Sequence, residues 1–338
     1  DEKNSMKVLV TGGGGFLGRY IVEQLLARGD AVTVFARGHY PELEALGARL
    51  IRGDLQEREA VERACAGMEA VFHVAAKAGM WGAYASYHSA NVEGTRNVLR
   101  ACRAEGVPRL VHTSSPSVVH AGRHQEGIGP EAPYPSRFLA HYPATKAQAE
   151  RDVLAANDGG LATVALRPHL IWGPHDNHLV PRLLARGRAG RLRRVGSRRT
   201  RVDATYVDNA VDAHVAAAGR LEPGAACAGR AYFVANDEPV HVFDLVDRIL
   251  AAGGLPPVRR SVPGGVAYAA GALCEAVWAL LGREDDPPVT RFVANQLATS
   301  HWYDLGPTRR DLGWEPRVST EEGLRHLAAW IAAGSPAP

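Results

Sequence analysis

The sequence predicts an α/β fold: a doubly wound parallel sheet followed by a smaller, mostly α C-terminal domain. Three observations carry this. Apolar runs of strand length alternate with amphipathic stretches of helix length from Met6 to Pro168. A glycine-rich turn closes the first run, and after Pro174 the alternation gives way to a helical region broken by glycine and proline. Strands separated by helices form βαβ crossovers, and these stack into a parallel sheet covered on both faces.

The strand candidates are MKVLVT (6–11), AVTVFA (31–36), ARLIRGD (48–54), AVFHVAA (70–76), RLVHTSS (109–115) and ATVALRP (162–168). Between them, Gly15–Arg28, Gln56–Ala66, Asn91–Glu105 and Thr145–Ala156 repeat apolar residues at helical spacing. A further helix is expected from about Asn209, and RAYFVAN (230–236) reads as one more strand of the sheet. Residues 6–174, with later contributions near 203–236, are therefore expected to form a dinucleotide-binding domain. Residues 175–202 and 237–334 are expected to form a substrate domain. In such sheets ligands sit at the carboxyl ends of the strands.

Composition narrows the class. The 338 residues are 46% hydrophobic and 22% charged, enough for a sizeable core and unlike a disordered chain. Lys and Arg number 39 against 36 Asp and Glu, a net charge of +3 that gives no reason to expect nucleic acid as a partner. Cys65, Cys102, Cys227 and Cys274 are scattered, so neither disulfides nor a metal site is expected, and a reducing cytoplasm fits them. The polar DEKNS before Met6 reads as a remnant, and a strand pattern begins directly after it, so no signal peptide is expected.

The first strand ends in TGGGGFLG, with Gly12, Gly15 and Gly18 spaced GxxGxxG and Phe16 and Leu17 opening the helix. Glycines there permit a tight turn and let backbone approach a pyrophosphate, which the helix N-terminus then attracts. No Gly-Lys-Ser/Thr follows, so this is not a Walker loop. At the end of the second strand an NAD site would carry a carboxylate for the ribose hydroxyls; here Ala36 is followed by Arg37. A cation without a carboxylate favours the extra phosphate, so NADP(H) is expected over NAD(H).

YPATK places Lys146 four residues after Tyr142, on one helical face. A phenol is a poor proton donor at neutral pH unless a neighbouring ammonium and an oxidised nicotinamide lower its pKa. Ser115, at the end of the fifth strand, is placed to hydrogen-bond the reacting oxygen. Lys77, just past the fourth strand, could hold a substrate carboxylate, with Trp81 packing against a chain. His169 and Trp172, after the sixth strand, are candidates for the same pocket.

Taken in order, TGGGGFLG, GDL at Gly53–Leu55, HVAA at His73–Ala76, NVEGT at Asn91–Thr95, TSS at Thr113–Ser115, YPATK, LRP at Leu166–Pro168 and YVDNAVDA from Tyr206 resemble the extended short-chain dehydrogenase/reductase superfamily across nearly the whole chain. The resemblance implies that Asp54 and Leu55 border the adenine and that Ala75, Ala76 and Thr113 pass the cofactor. It also implies that Pro168 borders the nicotinamide, that Ser115, Tyr142 and Lys146 are the catalytic set, and that the protein is a homodimer built on two helices per subunit. AAKAGMWG, SSPSVV with its Ser117, RPHLIWGP, HLVPRLL and ATSHWYDL are similar to the 3β-hydroxysteroid dehydrogenase branch, in particular to its bacterial reductases of 2-alkyl-3-oxoalkanoates in long-chain olefin formation. Sterol-4α-carboxylate 3-dehydrogenases are the alternative. The expected activity is thus NADPH-dependent reduction of a lipophilic β-keto acid in the cytoplasm, in a complex with pathway enzymes or without one. A nucleotide-sugar epimerase or dehydratase would use the same scaffold but would want a more polar second domain.

Two stretches stand apart from these motifs. From Arg182 to Arg201 the chain carries nine arginines and no acid, open to solvent or to a carboxylate or phosphate, with no interleaved aromatics to suggest nucleic acid. Val262–Gly282 holds a single charge, Glu275. Its proline and glycines argue against a transmembrane span, leaving a core helix, a lid offering an apolar wall to alkyl chains, or weak contact with a membrane surface.

Overall fold

The computed structural model describes residues 5–197 and 199–334. Seven parallel strands form the main sheet: β1 (Lys7–Thr11), β2 (Ala31–Ala36), β3 (Arg49–Arg52), β4 (Ala70–His73), β5 (Arg109–Thr113), β6 (Ala162–Pro168) and β7 (Arg230–Val234). Their spatial order is β7-β6-β5-β4-β1-β2-β3, so the order reverses beside β1 and opens a crevice between β1 and β4. β1 pairs with β2 through Lys7↔Ala31 and with β4 through Val8↔Ala70. The expected extra strand is β7, which continues the sheet beside β6 with Arg230 opposite Val164.

The period of two along each strand sorts its side chains between two cores. Val8 and Val10, Phe72 and Val111 face one core, with Ile21 and Val22 of α1 (Phe16–Ala27). Leu9, Val71 and Leu110 face the other, with Val61 of α2 (Arg58–Cys65), Val98 of α3 (Gly94–Ala104) and Val153 of α4 (His141–Ala155). Burial on both faces explains why the strands read as unbroken apolar runs. Several of those runs stop short of their predicted ends. β3 ends at Arg52 and β5 at Thr113, which leaves Gly53–Asp54 and Ser114–Ser115 in loops on the carboxyl edge.

Helix α4 begins at His141, four residues before the expected Thr145. Pro143 falls in its first turn, where backbone N–H groups have no intrahelical acceptor and proline therefore removes nothing. After α5 (Leu179–Arg188), the expected helix from about Asn209 is α6 (Val207–Arg220), packed against α1. Beyond it the chain is mainly helical, with α7 (Val242–Ala252), α8 (Gly264–Leu280), α9 (Arg291–Ala298) and α10 (Thr320–Ala332). Short strands of two to four residues, spread from Gln125 to Tyr303, form three small sheets outside the main one, too brief for periodicity to reveal. The four cysteines are free thiols; three are buried and Cys274 is half-buried.

Two readings of the apolar stretch in the second region are corrected. The stretch 262–282 is neither a core helix nor a wall of the main cleft. Only Ala267, Gly271 and Glu275 of α8 are buried, and none of its residues lines the cleft described below. A Cβ on Gly271 would lie 2.6 Å from the backbone N of Arg291, so glycine sets how closely α8 meets the start of α9. The Glu275 carboxylate accepts from the Arg291 backbone N–H at 2.7 Å and from its Nε at 2.6 Å. Among the described residues no helix is long and apolar enough to cross a membrane.

In the arginine stretch two side chains meet carboxylates of the chain itself. Arg182 pairs with Asp286 and Arg194 with Asp247. Arg186 donates to the Pro288 carbonyl. No described arginine of this stretch lines the cleft; Arg198 lies outside the described residues.

Candidate active site

A cleft of about 970 Å³ opens along the carboxyl edge at the β1 crossover. Gly12, Gly15 to Gly18, Arg37, Asp54, Leu55, Ala75, Ala76, Thr113 and Pro168 all line it, as do Ser115, Tyr142, Lys146 and Lys77. Residues spread over more than 150 positions meet here because most follow the ends of parallel strands, while α4 carries Tyr142 and Lys146 to the same edge.

The floor is a glycine cradle. Gly12 has φ of 71°, and a Cβ on it would lie 2.8 Å from the Ala75 backbone. A Cβ on Gly18 would lie 2.2 Å from the Gly12 carbonyl oxygen, so only glycine lets α1 start this close to the turn. No side chain caps α1 and its first turn holds no acid, which leaves its first N–H groups and positive dipole end facing the cleft. A dinucleotide pyrophosphate fits such a cradle.

A buried polar chain holds the opposite lip. The Thr95 hydroxyl donates to the Asn91 carbonyl at 2.6 Å, so toward His73 it accepts, from Nε2 at 2.9 Å. Nδ1 of His73 is then the unprotonated nitrogen and accepts from the Thr11 hydroxyl at 2.8 Å. Thr11 in turn accepts from the Ala75 N–H at 3.3 Å. Burial, and then the charge of Lys146, lowers the His73 pKa to about 3, which keeps the ring neutral as this pattern requires. His73 thereby fixes the Ala75 turn against Gly12.

At the adenosine end Ala36 and Arg37 close β2, and Arg37 is exposed with no carboxylate partner among the described residues. Sequence reading missed Tyr40, whose ring covers the glycine turn: a Cβ on Gly14 would lie 2.0 Å from it. Its position after a loop and before a short helix carries no pattern that could have signalled this.

At the other end stand the three polar residues. Lys146 is buried; its Nζ donates to the Thr113 carbonyl at 2.6 Å and to Nε2 of His112 at 3.3 Å. Burial lowers its pKa to about 8, partly offset by Glu150. The Ser115 hydroxyl lies 2.9 Å from that of Ser117 and accepts from the Ser117 N–H at 3.2 Å, capping the short turn Pro116–Val119. The Tyr142 phenol is raised by burial, and Ser115 opposes that shift. The expected lowering by Lys146 is therefore not supplied by the resting arrangement, in which the ammonium is held by Thr113 and His112.

The substrate candidates divide. Lys77 lines the cleft, donating to the Ser86 hydroxyl at 2.6 Å with its Nζ 5.0 Å from the centre of the Tyr87 ring. Asn91, part of NVEGT, accepts from the Lys77 N–H at 2.7 Å and so sets that loop. His169 and Trp172 do not line the cleft. Leu170, with φ of 43°, turns the chain so that Leu170 and Ile171 face it instead. His169 packs 4.8 Å from His301 with Nδ1 on the Asp203 carbonyl, and Trp172 is fully buried 5.4 Å from Tyr206. Trp81 is also off the cleft, its indole donating to the Arg283 carbonyl at 2.8 Å. Ser117 lies behind Ser115. Among the described residues no cluster of side chains could hold a metal.

Comparison with known proteins agrees with this geometry. Residues 9–262 match the 3-beta hydroxysteroid dehydrogenase/isomerase family. The chain is 57% identical to a 2-alkyl-3-oxoalkanoate reductase of Stenotrophomonas maltophilia (strain K279a), covering 97% of this chain and all of that one. It is 32% identical to a mouse sterol-4-alpha-carboxylate 3-dehydrogenase, decarboxylating, over 96% of this chain and 90% of that one. In fold it is similar to the crystal structure of gox2253, with a TM-score of 0.79 at 23% identity over 98% of this chain and 99% of that one. It is also similar to MoeE5 in complex with UDP-glucose and NAD, with a TM-score of 0.75 at 25% identity over 98% and 100%. The chain is an NAD(P)-dependent oxidoreductase of the extended short-chain dehydrogenase/reductase type and belongs to the 3-beta hydroxysteroid dehydrogenase/isomerase family.

Proposed function

We propose that this protein is an NADPH-dependent reductase of lipophilic β-keto acids, with open-chain 2-alkyl-3-oxoalkanoates as substrates. The observation that carries the reading is the cleft itself, in which Ser115, Tyr142 and Lys146 stand together at one end and Lys77 supplies a cation nearby. The relative at 57% identity, named a 2-alkyl-3-oxoalkanoate reductase, supports the substrate class.

Gly12, Gly15 and Gly18 would hold the pyrophosphate, Asp54 and Leu55 the adenine, Arg37 the 2′-phosphate, and Lys146 the nicotinamide ribose. The bound nicotinamide supplies the hydride. Tyr142 donates a proton to the ketone oxygen while Ser115 hydrogen-bonds that oxygen, which places two donors where negative charge develops. Lys146, drawn from Thr113 to the ribose, would bring its positive charge nearer the phenol and favour proton release. Lys77 would pair with the substrate carboxylate. That none of the described arginines between Arg182 and Arg201 lines the cleft weighs against a nucleotide-sugar substrate, whose diphosphate would need such partners.

The test is oxidation of 2-alkyl-3-hydroxy acids of increasing chain length with NADP⁺, followed by nicotinamide absorbance, beside a sterol carboxylate and UDP-sugars. Turnover that rises with chain length and is greatest with the open-chain acids supports the assignment. Turnover highest with a UDP-sugar, or absent with every hydroxy acid, overturns it.

A further inference from the structure

Leu170 holds a backbone conformation that its own side chain disfavours. Its φ of 43° lies in the left-handed region, where the Cβ of a bulky residue crowds the backbone. Among the described residues the other non-glycine positions with positive φ are His175 and Asp237, and neither lines the cleft. Leu170 does line it, and it remains 38% exposed there.

The chain on both sides enforces this turn. The His169 N–H donates to the Val234 carbonyl at 3.1 Å. Thr205 donates from its hydroxyl to the His169 carbonyl at 2.7 Å and from its N–H to the Leu170 carbonyl at 3.4 Å. Ile171 and Trp172 then pair with Thr205 and Tyr206, and Trp172 is fully buried. Backbone strain persists where neighbours over-determine it, and it gathers at sites that use it. Core packing does not account for an exposed leucine; what the strained turn secures is an apolar side chain in the cleft.

Sheet order places that side chain relative to the reacting groups. Leu170 follows β6, Ser115 follows β5 and Lys77 follows β4, three neighbouring strands. Adjacent strands lie about 4.8 Å apart, so Leu170 and Lys77 flank Ser115 from opposite sides, with their strands roughly 10 Å apart. Pro168 and Ile171 extend the apolar surface on the β6 side. Asp176, the next acid along this segment, is tied to the start of α5, where it accepts from the N–H groups of His178 at 2.7 Å and Val180 at 2.8 Å.

We propose that Leu170 selects the alkyl chain on the far side of the ketone. The inference rests on the β-keto acid reading of the preceding section. With the substrate carboxylate toward Lys77 and the C3 carbonyl on Ser115 and Tyr142, the chain borne by C3 continues toward the β6 side and lies against Leu170. The branch at C2 points elsewhere. Asn tolerates the left-handed region better than leucine does, so the leucine is explained by what it touches and not by the turn.

The experiment measures kcat/KM with NADP⁺ for two series of 2-alkyl-3-hydroxy acids, one lengthening the C3 chain and the other the C2 branch. Each methylene buried against the protein raises kcat/KM about fourfold. In Leu170→Asn the rise along the C3 series flattens, and the ratio of longest to shortest acid falls by about tenfold or more. The C2 series keeps its wild-type slope. Leu170→Met, apolar and similar in volume, keeps the C3 slope. Leu170→Asn also melts at or above the wild-type temperature, because the turn is relieved of strain, and binds NADP⁺ as tightly by fluorescence titration. An unchanged C3 slope in Leu170→Asn, equal flattening of both series, or a loss of NADP⁺ affinity in place of the change in slope overturns the proposal. So does a melting temperature lowered by more than about 5 °C, which would make Leu170 a packing residue. If wild-type kcat/KM rises along neither series, the substrate reading fails and this inference with it. A wild-type rise along the C3 series that Leu170→Asn leaves intact defeats this inference alone.

Discussion

Arg167→Met should destabilise the protein far more than the loss of a surface arginine, and the structure sets the amount. Arg167, the residue before Pro168 on β6, donates from Nε and Nη2 to the two oxygens of Glu150 at 2.9 and 2.6 Å. The two side chains are 2% and 0% exposed. The Tyr134 hydroxyl donates to the same carboxylate at 2.6 Å, and Arg167 Nη1 donates to the Pro130 carbonyl at 2.9 Å. One network thus ties α4, which carries Tyr142 and Lys146, to the strand that carries Pro168. Removing one partner of a buried pair leaves the other charge uncompensated and costs about 3 to 5 kcal/mol, whereas replacing both with apolar groups is often near neutral. Urea unfolding followed by circular dichroism should show a loss in that range for Arg167→Met. The double change with Glu150→Leu should cost much less than the sum of the singles, a coupling of about 2 kcal/mol or more. Burial pushes the Glu150 carboxyl up, but Arg167, Ser114 and Tyr134 together outweigh it and leave the pKa below its ordinary value. A depressed carboxyl stabilises above its unfolded range and loses that contribution as pH falls through the folded value. The gap between wild type and Arg167→Met should therefore narrow on acidification. A loss below about 1 kcal/mol, or strict additivity in the double variant, would refute the reasoning.

Tyr142→Phe should leave cofactor binding intact and lower kcat by roughly 10²- to 10⁴-fold; near wild-type turnover would remove Tyr142 from the proton-transfer role. Arg37→Ala should weaken NADP(H) by about ten- to a hundredfold, the loss of a charge-assisted contact, and leave NAD(H) unchanged; equal effects on both, by fluorescence titration, would reject the 2′-phosphate assignment. Gly18→Ala puts a Cβ 2.2 Å from the Gly12 carbonyl, which is backbone and cannot swing away. It should abolish cofactor binding by calorimetry while the far-ultraviolet spectrum persists, and retained affinity would show that the cradle is looser than its geometry.

The parts of the site legible in the sequence were those whose chemistry is written locally. Gly12, Gly15 and Gly18 of TGGGGFLG, the Arg37 that follows β2 and the Tyr142–Lys146 spacing each state a geometric need within a few residues, and all of them line the cleft. His169, Trp172 and Trp81 were placed by proximity to strand ends, and that was not enough. One positive φ at Leu170 reverses which side chains face the cleft. Tyr40 was invisible for the same reason, since its contact with Gly14 depends on how a loop folds back rather than on any period.

The alternation of buried strands and amphipathic helices, the parallel order it implies and the nucleotide cradle were determined by the sequence alone, because burial on both sheet faces and the steric demands of the turn act over a few residues at a time. Only the tertiary structure decided the surroundings of the three polar residues and the fate of α8. Lys146 rests on Thr113 and His112 instead of the phenol because burial leaves it no water and the nearest acceptors lie at the end of β5. The apolar run 262–282 reads alike as core, lid or surface helix, since hydropathy records what a helix would bury but not what lies beside it. Its outward stripe follows from its packing on α9, where the close approach of Gly271 and the pairing of Glu275 with Arg291 turn the acid inward and the leucines out.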